Sequence, residues 1–506
     1  MDDLTEGDVD TTDRITLLRR CSTSPRIGAV GPPQLRHADR RFSRSPEPLI
    51  PLRSPISRSK GVYMTQQYDV VILGAGFAGL VAGRELSARG KSVLIVEARD
   101  RIGGRTWTDH RLGHDIELGG TWFHNLQPYV WSEITRYGLQ LDTSPEPECF
   151  VLATDDGPRA VDLGSALEAL TQGLEHLTKD ARGFMPRPFT PLHNHDAVEK
   201  LDEVTIAERL ASLDVGEDGR IITEAFVATG FQAPSDELSL AHAYRITSLS
   251  QWDAATELEA ASTYKIRGGT RALAQAIADD SSAEVYLETQ VTSLRSTETA
   301  VEVHTKDGRS FIAGKVIVTV PINVLSTINF DPPLSAGKRK IVDAGQASRG
   351  VKVWARVRGT VDPFVGMAAP DTSPLTFAQL EYYVDGDSLI VAFGPDASTV
   401  GPDDLPTIQD ALRRWLPEAE VIAVDGHDWT NDEFSRETWA NLRPGQLAAG
   451  IPELQHEENN IFFAGSDYTS AWLGYVDGAV ETALVTARKI LDQNVEAPVA
   501  VAAARV

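Results

Sequence analysis

Residues 68–98, "YDVVILGAGFAGLVAGRELSARGKSVLIVEA", leave little choice of local fold. An apolar run ends in glycines at 68–76, as a buried parallel strand does. "AGLVAGRELSARG" (78–90) follows with helical periodicity and stops at Gly90. "SVLIVEA" (92–98) reads as a second strand. The three pieces form a βαβ unit, whose crossover is right-handed, so the chain must contain a parallel sheet covered by helices. Gly74, Gly76 and Gly79 spell G-x-G-x-x-G. The first permits the tight turn, the second lets backbone approach a pyrophosphate, and the third lets helix and strand pack closely. Glu97 follows Gly76 by 21 residues, where a carboxylate can accept hydrogen bonds from a ribose diol. This unit marks a dinucleotide site without separating NAD from FAD.

Composition bounds the rest. A length of 506 residues suits two or three domains. A formal charge of −24 argues against nucleic acid or an anionic membrane surface as partner. No run of about 18 apolar residues occurs, so no membrane span is expected. The two cysteines, Cys21 and Cys149, are far apart and form no C-x-x-C, which leaves no zinc ribbon and fits a cytoplasmic location. Residues 1–63 differ from the remainder. Residues 11–60 hold 11 Arg/Lys against three Asp/Glu and are rich in Ser and Pro. Such a segment cannot bury enough apolar surface to fold alone, so it reads as a disordered extension or as sequence ahead of a start at Met64. Arg19-Arg20 has no apolar stretch after it, so a twin-arginine export signal is not supported.

Further along, 160–265 has mainly helical periodicity. Residues 283–321 read as consecutive strands, and 350–430 contains alternating strands such as "GVKVWARVRG" and "SLIVAFG". His193 and His195 form H-x-H in a Pro-rich loop with no third ligand in sight, so no metal site is expected. No Ser/His/Asp hydrolase elbow is present.

Directly after Glu97 comes "EARDRIGGRT", with Ala98, Arg99, Arg101, Gly104 and Arg105. It resembles the second dinucleotide motif of flavin amine oxidases. Gly104 permits close backbone approach, and Arg105 can pair bidentately with a pyrophosphate. Arg101 reads as a solvated surface charge. "DIELGGTWFH" (115–124) sits where that family places the loop over the isoalloxazine ring, with Gly120, Thr121 and Trp122 nearest the ring. The resemblance therefore implies FAD.

Five further stretches appear in the family's order: "LQPYVWSEITRYGL", "YKIRGGTRALAQAI", "GQASRGVKVWARVRG", "DWTNDEFSRETWANLRPGQL" and "FAGSDYTSAWLGYVDGAVETA". Across about 66–492 the chain resembles the monoamine oxidase family of flavoenzymes, in particular bacterial members of the nicotine oxidoreductase and 6-hydroxynicotine oxidase type. The resemblance assigns Gly465, Ser466 and Asp467 to the ribityl and pyrophosphate region. It places the Val476 backbone at the flavin N1/O2 edge and Val291 at the adenine. It makes Lys352 the lysine that holds a water near flavin N5, and Trp439 and Tyr475 the aromatic pair enclosing the amine. Some relatives tether the flavin through a cysteine just before the first of these aromatics. Thr438 stands there in this chain, so FAD is expected to be noncovalent. The ring loop lacks the arginine that amino-acid oxidases use, which favours an amine.

The fold expected is α/β, a Rossmann-like FAD domain with an α+β substrate domain. The FAD domain takes 66–145, 265–320 and 445–495. The substrate domain takes 146–264 and 321–444, and 496–506 is a tail. The activity implied is oxidation of an amine C–N bond, with a hydride equivalent passing to flavin N5 and the imine hydrolysed. The acceptor is O2, giving hydrogen peroxide, or alternatively an electron-carrier protein. A non-catalytic flavin-bound protein is the remaining alternative. A homodimer is the family-level expectation.

Overall fold

Strand Gln66–Leu73 runs apolar from Val70 onward, and each of those residues is buried. It pairs in parallel with Val93–Val96 on one side and Ser310–Val318 on the other. Glu284–Tyr286 extends this sheet beyond Val93–Val96, again in parallel. Beyond Ser310–Val318 the register turns antiparallel through Val301–Thr305 and Val291–Ser296, and Asn329–Asp331 forms the edge. Ile461–Phe463 returns from far along the chain to pair in parallel with the last residues of Ser310–Val318. Helices Phe77–Ser87 and Val476–Gln493 pack together on one face of this sheet. In a computed structural model, residues 66–493 are described, and they fall within a single compact unit. The expectations for 1–63 and for 496–506 lie outside the described residues.

A second sheet of seven strands has the order Val421–Gly426, Val351–Val357, Asp387–Gly394, Phe377–Val384, Phe364–Ala368, Cys149–Thr154 and Gly157–Val161. Every pairing is antiparallel except Phe364–Ala368 with Cys149–Thr154. The region expected to be helical supplies Leu163–Leu177, Glu217–Phe231, Leu240–Leu249 and Ala254–Ser262 among others. Their apolar faces share one core with Phe150, Leu152 and Met367 of this sheet. The architecture among the described residues is therefore α/β with two large sheets and two small ones. The ring loop 118–121 leads into a small sheet of Trp122–Phe123, Tyr264–Ile266 and Leu141–Thr143.

Candidate active site

Helix Phe77–Ser87 begins directly after Gly76, at the carboxyl end of the first strand, so its free N–H groups face outward from the sheet. A Cβ at Gly79 would fall 1.9 Å from the Gly74 carbonyl oxygen, so only glycine allows this turn. The two glycine motifs meet: Gly76 and Gly103 form a parallel bridge, and Gly103 N–H donates to the Ala75 carbonyl at 2.9 Å. Glu97 is buried and closes the turn. Its Oε2 accepts from Ala75 N–H at 2.7 Å and its Oε1 from Arg99 N–H at 2.8 Å. A carboxylate has about four lone-pair sites, so capacity for a diol remains.

Arg99 donates to Asp432 at 2.6 Å and Ser435 at 2.8 Å. Arg101 departs from the surface charge expected. It lies 4.5 Å from the Trp107 ring centre and donates to the Thr106 carbonyl, and burial brings its pKa down to about 10. Trp429, which faces it from more than 300 residues away, supplies a further ring that the local sequence could not reveal. Arg105 spreads its fork over two carboxylates, Glu437 and Asp467, each at 2.5 Å, and also donates to Ser466 Oγ at 2.8 Å. Burial and the neighbouring Asp467 hold Glu437 well above the usual carboxyl range. Burial pushes Asp467 the same way, but the Arg105 guanidinium overrides it and keeps Asp467 low. The negative charge of the cluster thus favours Asp467, beside Arg105, over Glu437.

The ring loop is pressed onto the second glycine motif. A Cβ at Gly119 would lie 2.0 Å from the Arg105 carbonyl oxygen. Lys352, on the inner strand Val351–Val357, is 4% exposed and donates to the Gly119 carbonyl at 3.0 Å and to Thr121 Oγ1 at 2.6 Å. Burial depresses its pKa to about 7, partly offset by Glu117 and Glu381. The rings of Trp122, Trp354 and Phe393 surround its ammonium head at 5.2, 5.5 and 5.7 Å.

One cavity of about 600 Å³ joins these features. Its walls include Gly74, Gly76, Glu97, Ala98, Arg99, Gly104, Arg105, Gly120, Thr121, Trp122, Val291, Gly465, Ser466 and Val476 of the expected cofactor set, with Trp439 and Tyr475 of the expected aromatic pair. Gly79, Asp467 and Lys352 stand behind the wall, against Gly74, Arg105 and Thr121 respectively. Trp439 donates its indole N–H to the Gly230 carbonyl at 3.1 Å, and the Gly474 backbone beside Tyr475 packs on the same indole. Burial, with Glu257 behind it, keeps the Tyr475 hydroxyl protonated.

A model of flavin containing amine oxidoreductases matches residues 77–491. This chain belongs to the flavin-containing amine oxidoreductases. It is 33% identical to a pseudooxynicotine dehydrogenase from Pseudomonas sp over 420 residues, covering 82% of this chain and 84% of that protein. It is 30% identical to an (S)-6-hydroxynicotine oxidase from Paenarthrobacter nicotinovorans, covering 84% and 99%. A solved structure of putrescine oxidase with bound putrescine overlays with a TM-score of 0.73 at 25% identity, covering 85% of this chain and all of that one. The chain is thus a flavin-dependent enzyme acting on amines.

The walls of this amine oxidoreductase fit a flavin. Thr438 Oγ1 is buried without a partner among the described residues at the cavity surface, and backbone near Gly74, Gly76 and Gly104 carries no side chain to block approach. Sequence reasoning missed the other end of the cavity. Phe150, Leu163, Leu167, Leu170, Phe226, Leu258, Val365, Met367, Phe377 and Phe393 make an apolar chamber there, with Thr229 and Gln379 as polar points. These side chains come from three helices and four strands of ordinary amphipathic pattern. No local signal distinguishes a residue lining a chamber from one filling a core. Among the described residues, no helix is long and apolar enough to cross a membrane, and no group of three or more His, Cys, Asp or Glu is placed to hold a metal ion.

Proposed function

We propose that the chain oxidises the carbon–nitrogen bond of a small apolar amine, using FAD held without a covalent tether. Continuity of the cavity carries this reading: it runs from the glycine turn and Glu97, past Trp439 and Tyr475, into the apolar chamber. Bound FAD supplies the two-electron acceptor that no side chain offers. The glycine turn, Glu97, Val291, Gly465, Ser466 and Val476 line its place. Thr438 occupies the position before Trp439, and Cys149 lies buried in a second-sheet strand, which favours noncovalent binding.

The chain's own residues then do three things. Trp439 and Tyr475 offer flat faces that orient the reacting carbon and exclude water. Lys352 ties the ring loop at Gly119 and Thr121 to the second sheet and brings a nitrogen that loses its charge near neutral pH. The chamber accepts the amine uncharged. Glu97 is the single carboxylate among the described wall residues, and it belongs to the glycine-turn end. An ammonium would find no counter-ion in the chamber, so the neutral amine reacts and the rate rises with pH. Water hydrolyses the imine product. The relatives named for pseudooxynicotine and 6-hydroxynicotine support a ring-bearing or secondary amine of the nicotine type.

O2 is the proposed acceptor, with hydrogen peroxide as product. Two relatives named as dehydrogenases favour a second reading, in which an electron-carrier protein takes O2's place. Anaerobic titration of the flavin absorbance with a panel of amines, followed by air, tests both. Bleaching with fast recovery supports an oxidase, and bleaching with very slow recovery supports the carrier. No bleaching by any amine refutes amine oxidation.

A further inference from the structure

The floor of the apolar chamber is one face of the second sheet, contributed by Phe150, Val365, Met367, Phe377, Gln379 and Phe393. Gln379 is the only polar side chain among them, and it is 9% exposed. The orientation of its amide is settled by what lies behind it. Glu381 pairs with Lys265, and its Oε1 also accepts from Ser144 Oγ at 2.9 Å. With its oxygens already accepting from Lys265 and Ser144, Glu381 offers Gln379 only acceptors. Gln379 must therefore turn its NH2 toward Glu381, with which it is hydrogen-bonded. Its carbonyl oxygen is left without a partner among the described residues. Ser144 in turn accepts from the Trp122 indole N–H at 3.2 Å, so the amide is held from the ring loop through to the sheet.

We infer that Gln379 selects amines carrying a hydrogen-bond donor, a hydroxyl or an N–H, apart from the reacting nitrogen. This rests on the amine-oxidising reading above. An amide oxygen that faces the cavity between apolar walls needs a donor from water or ligand. An amine with such a donor replaces the water like for like. An amine without one displaces the water and strands the oxygen, at the full desolvation penalty. Thr229 imposes no such choice, because its hydroxyl bonds the Thr376 hydroxyl and can both give and accept. The Glu381–Lys265 pair makes the selection one-sided: the amide cannot flip to offer its NH2 to a ligand acceptor without abandoning a buried carboxylate.

The test compares arylalkylamines hydroxylated at each ring position with their O-methyl ethers and the unsubstituted parent. The readout is the kcat/KM ratio between members, in the flavin-loaded native protein and in Gln379→Met. The native protein is expected to favour at least one hydroxylated amine about tenfold over both comparators, and the ratio is expected to fall toward one in Gln379→Met. If Gln379→Met fails to fold, Gln379→Asn, which keeps an amide while withdrawing the oxygen, is expected to reduce the ratio likewise. Equal ratios in native and variant proteins, or no preference for any hydroxylated amine in the native one, overturn the inference. Failure of every amine to bleach the native flavin overturns the amine reading itself, and this inference with it.

Discussion

Glu437 and Asp467 both grip Arg105 and both are fully buried, yet their amide variants should behave very differently. Burial and Asp467 push Glu437 toward its protonated form, whereas Arg105 holds the Asp467 carboxyl low. Glu437→Gln therefore replaces a protonated carboxyl by a group of the same shape. The new amide can donate to Asp467 and accept from Arg105, but its NH2 then meets Asn323 N–H, from which Glu437 Oε2 accepts at 3.1 Å, so the expected cost is about 1–2 kcal/mol. Asp467→Asn removes the one negative charge of the cluster. It leaves a guanidinium facing neutral groups, with a side chain only 19% exposed, and breaking a buried pair from one side costs roughly 3–5 kcal/mol. Urea unfolding of each flavin-loaded variant, followed by far-ultraviolet circular dichroism, reads the two costs. A Glu437→Gln penalty equal to or larger than that of Asp467→Asn would refute the assignment of the proton to Glu437.

Lys352→Met should retain flavin but slow its reduction or reoxidation, and unchanged kinetics would remove Lys352 from the mechanism. The same variant tests the lysine's charge. Its pKa falls from 10.5 to about 7 on folding, so above pH 7 the unfolded chain binds the extra proton and stability rises with pH up to 10.5. The penalty is complete below 7. Native protein should gain roughly 2 kcal/mol over Lys352→Met across the two pH units above 7, and parallel stability curves would contradict this. Glu97→Ala should weaken FAD retention during purification, and full occupancy would count against a ribose contact. Gly79→Ala should expel the cofactor more completely, because its methyl would meet the Gly74 carbonyl at 1.9 Å. A variant that binds FAD normally would show that the turn can yield.

Much of the fold was readable locally because the βαβ unit is local. Val70–Leu73 and Val93–Val96 are apolar runs bounded by glycines, and they pair as that pattern requires. The helical stretch after 160 and the strands after 283 likewise announce themselves by period. Arg101 was misread because its environment is not local. Nothing near position 101 announces that Trp429 will cover it. Arg105 stands out in the sequence between a glycine pair and "TW", but its two carboxylate partners lie more than 300 residues away.

By itself the sequence determined the glycine turn and, through motifs in order, the family, and it named most of the residues that line one end of the cavity. Those features are short-range: a turn that only glycine can make, and a carboxylate a fixed distance along the chain. Tertiary structure alone decided the chamber, the raised pKa of Glu437, the lowered pKa of Lys352 and the orientation of the Gln379 amide. Each depends on removal from water and on partners from other segments. Sequence records which groups a chain carries, whereas packing decides which of them water can no longer reach.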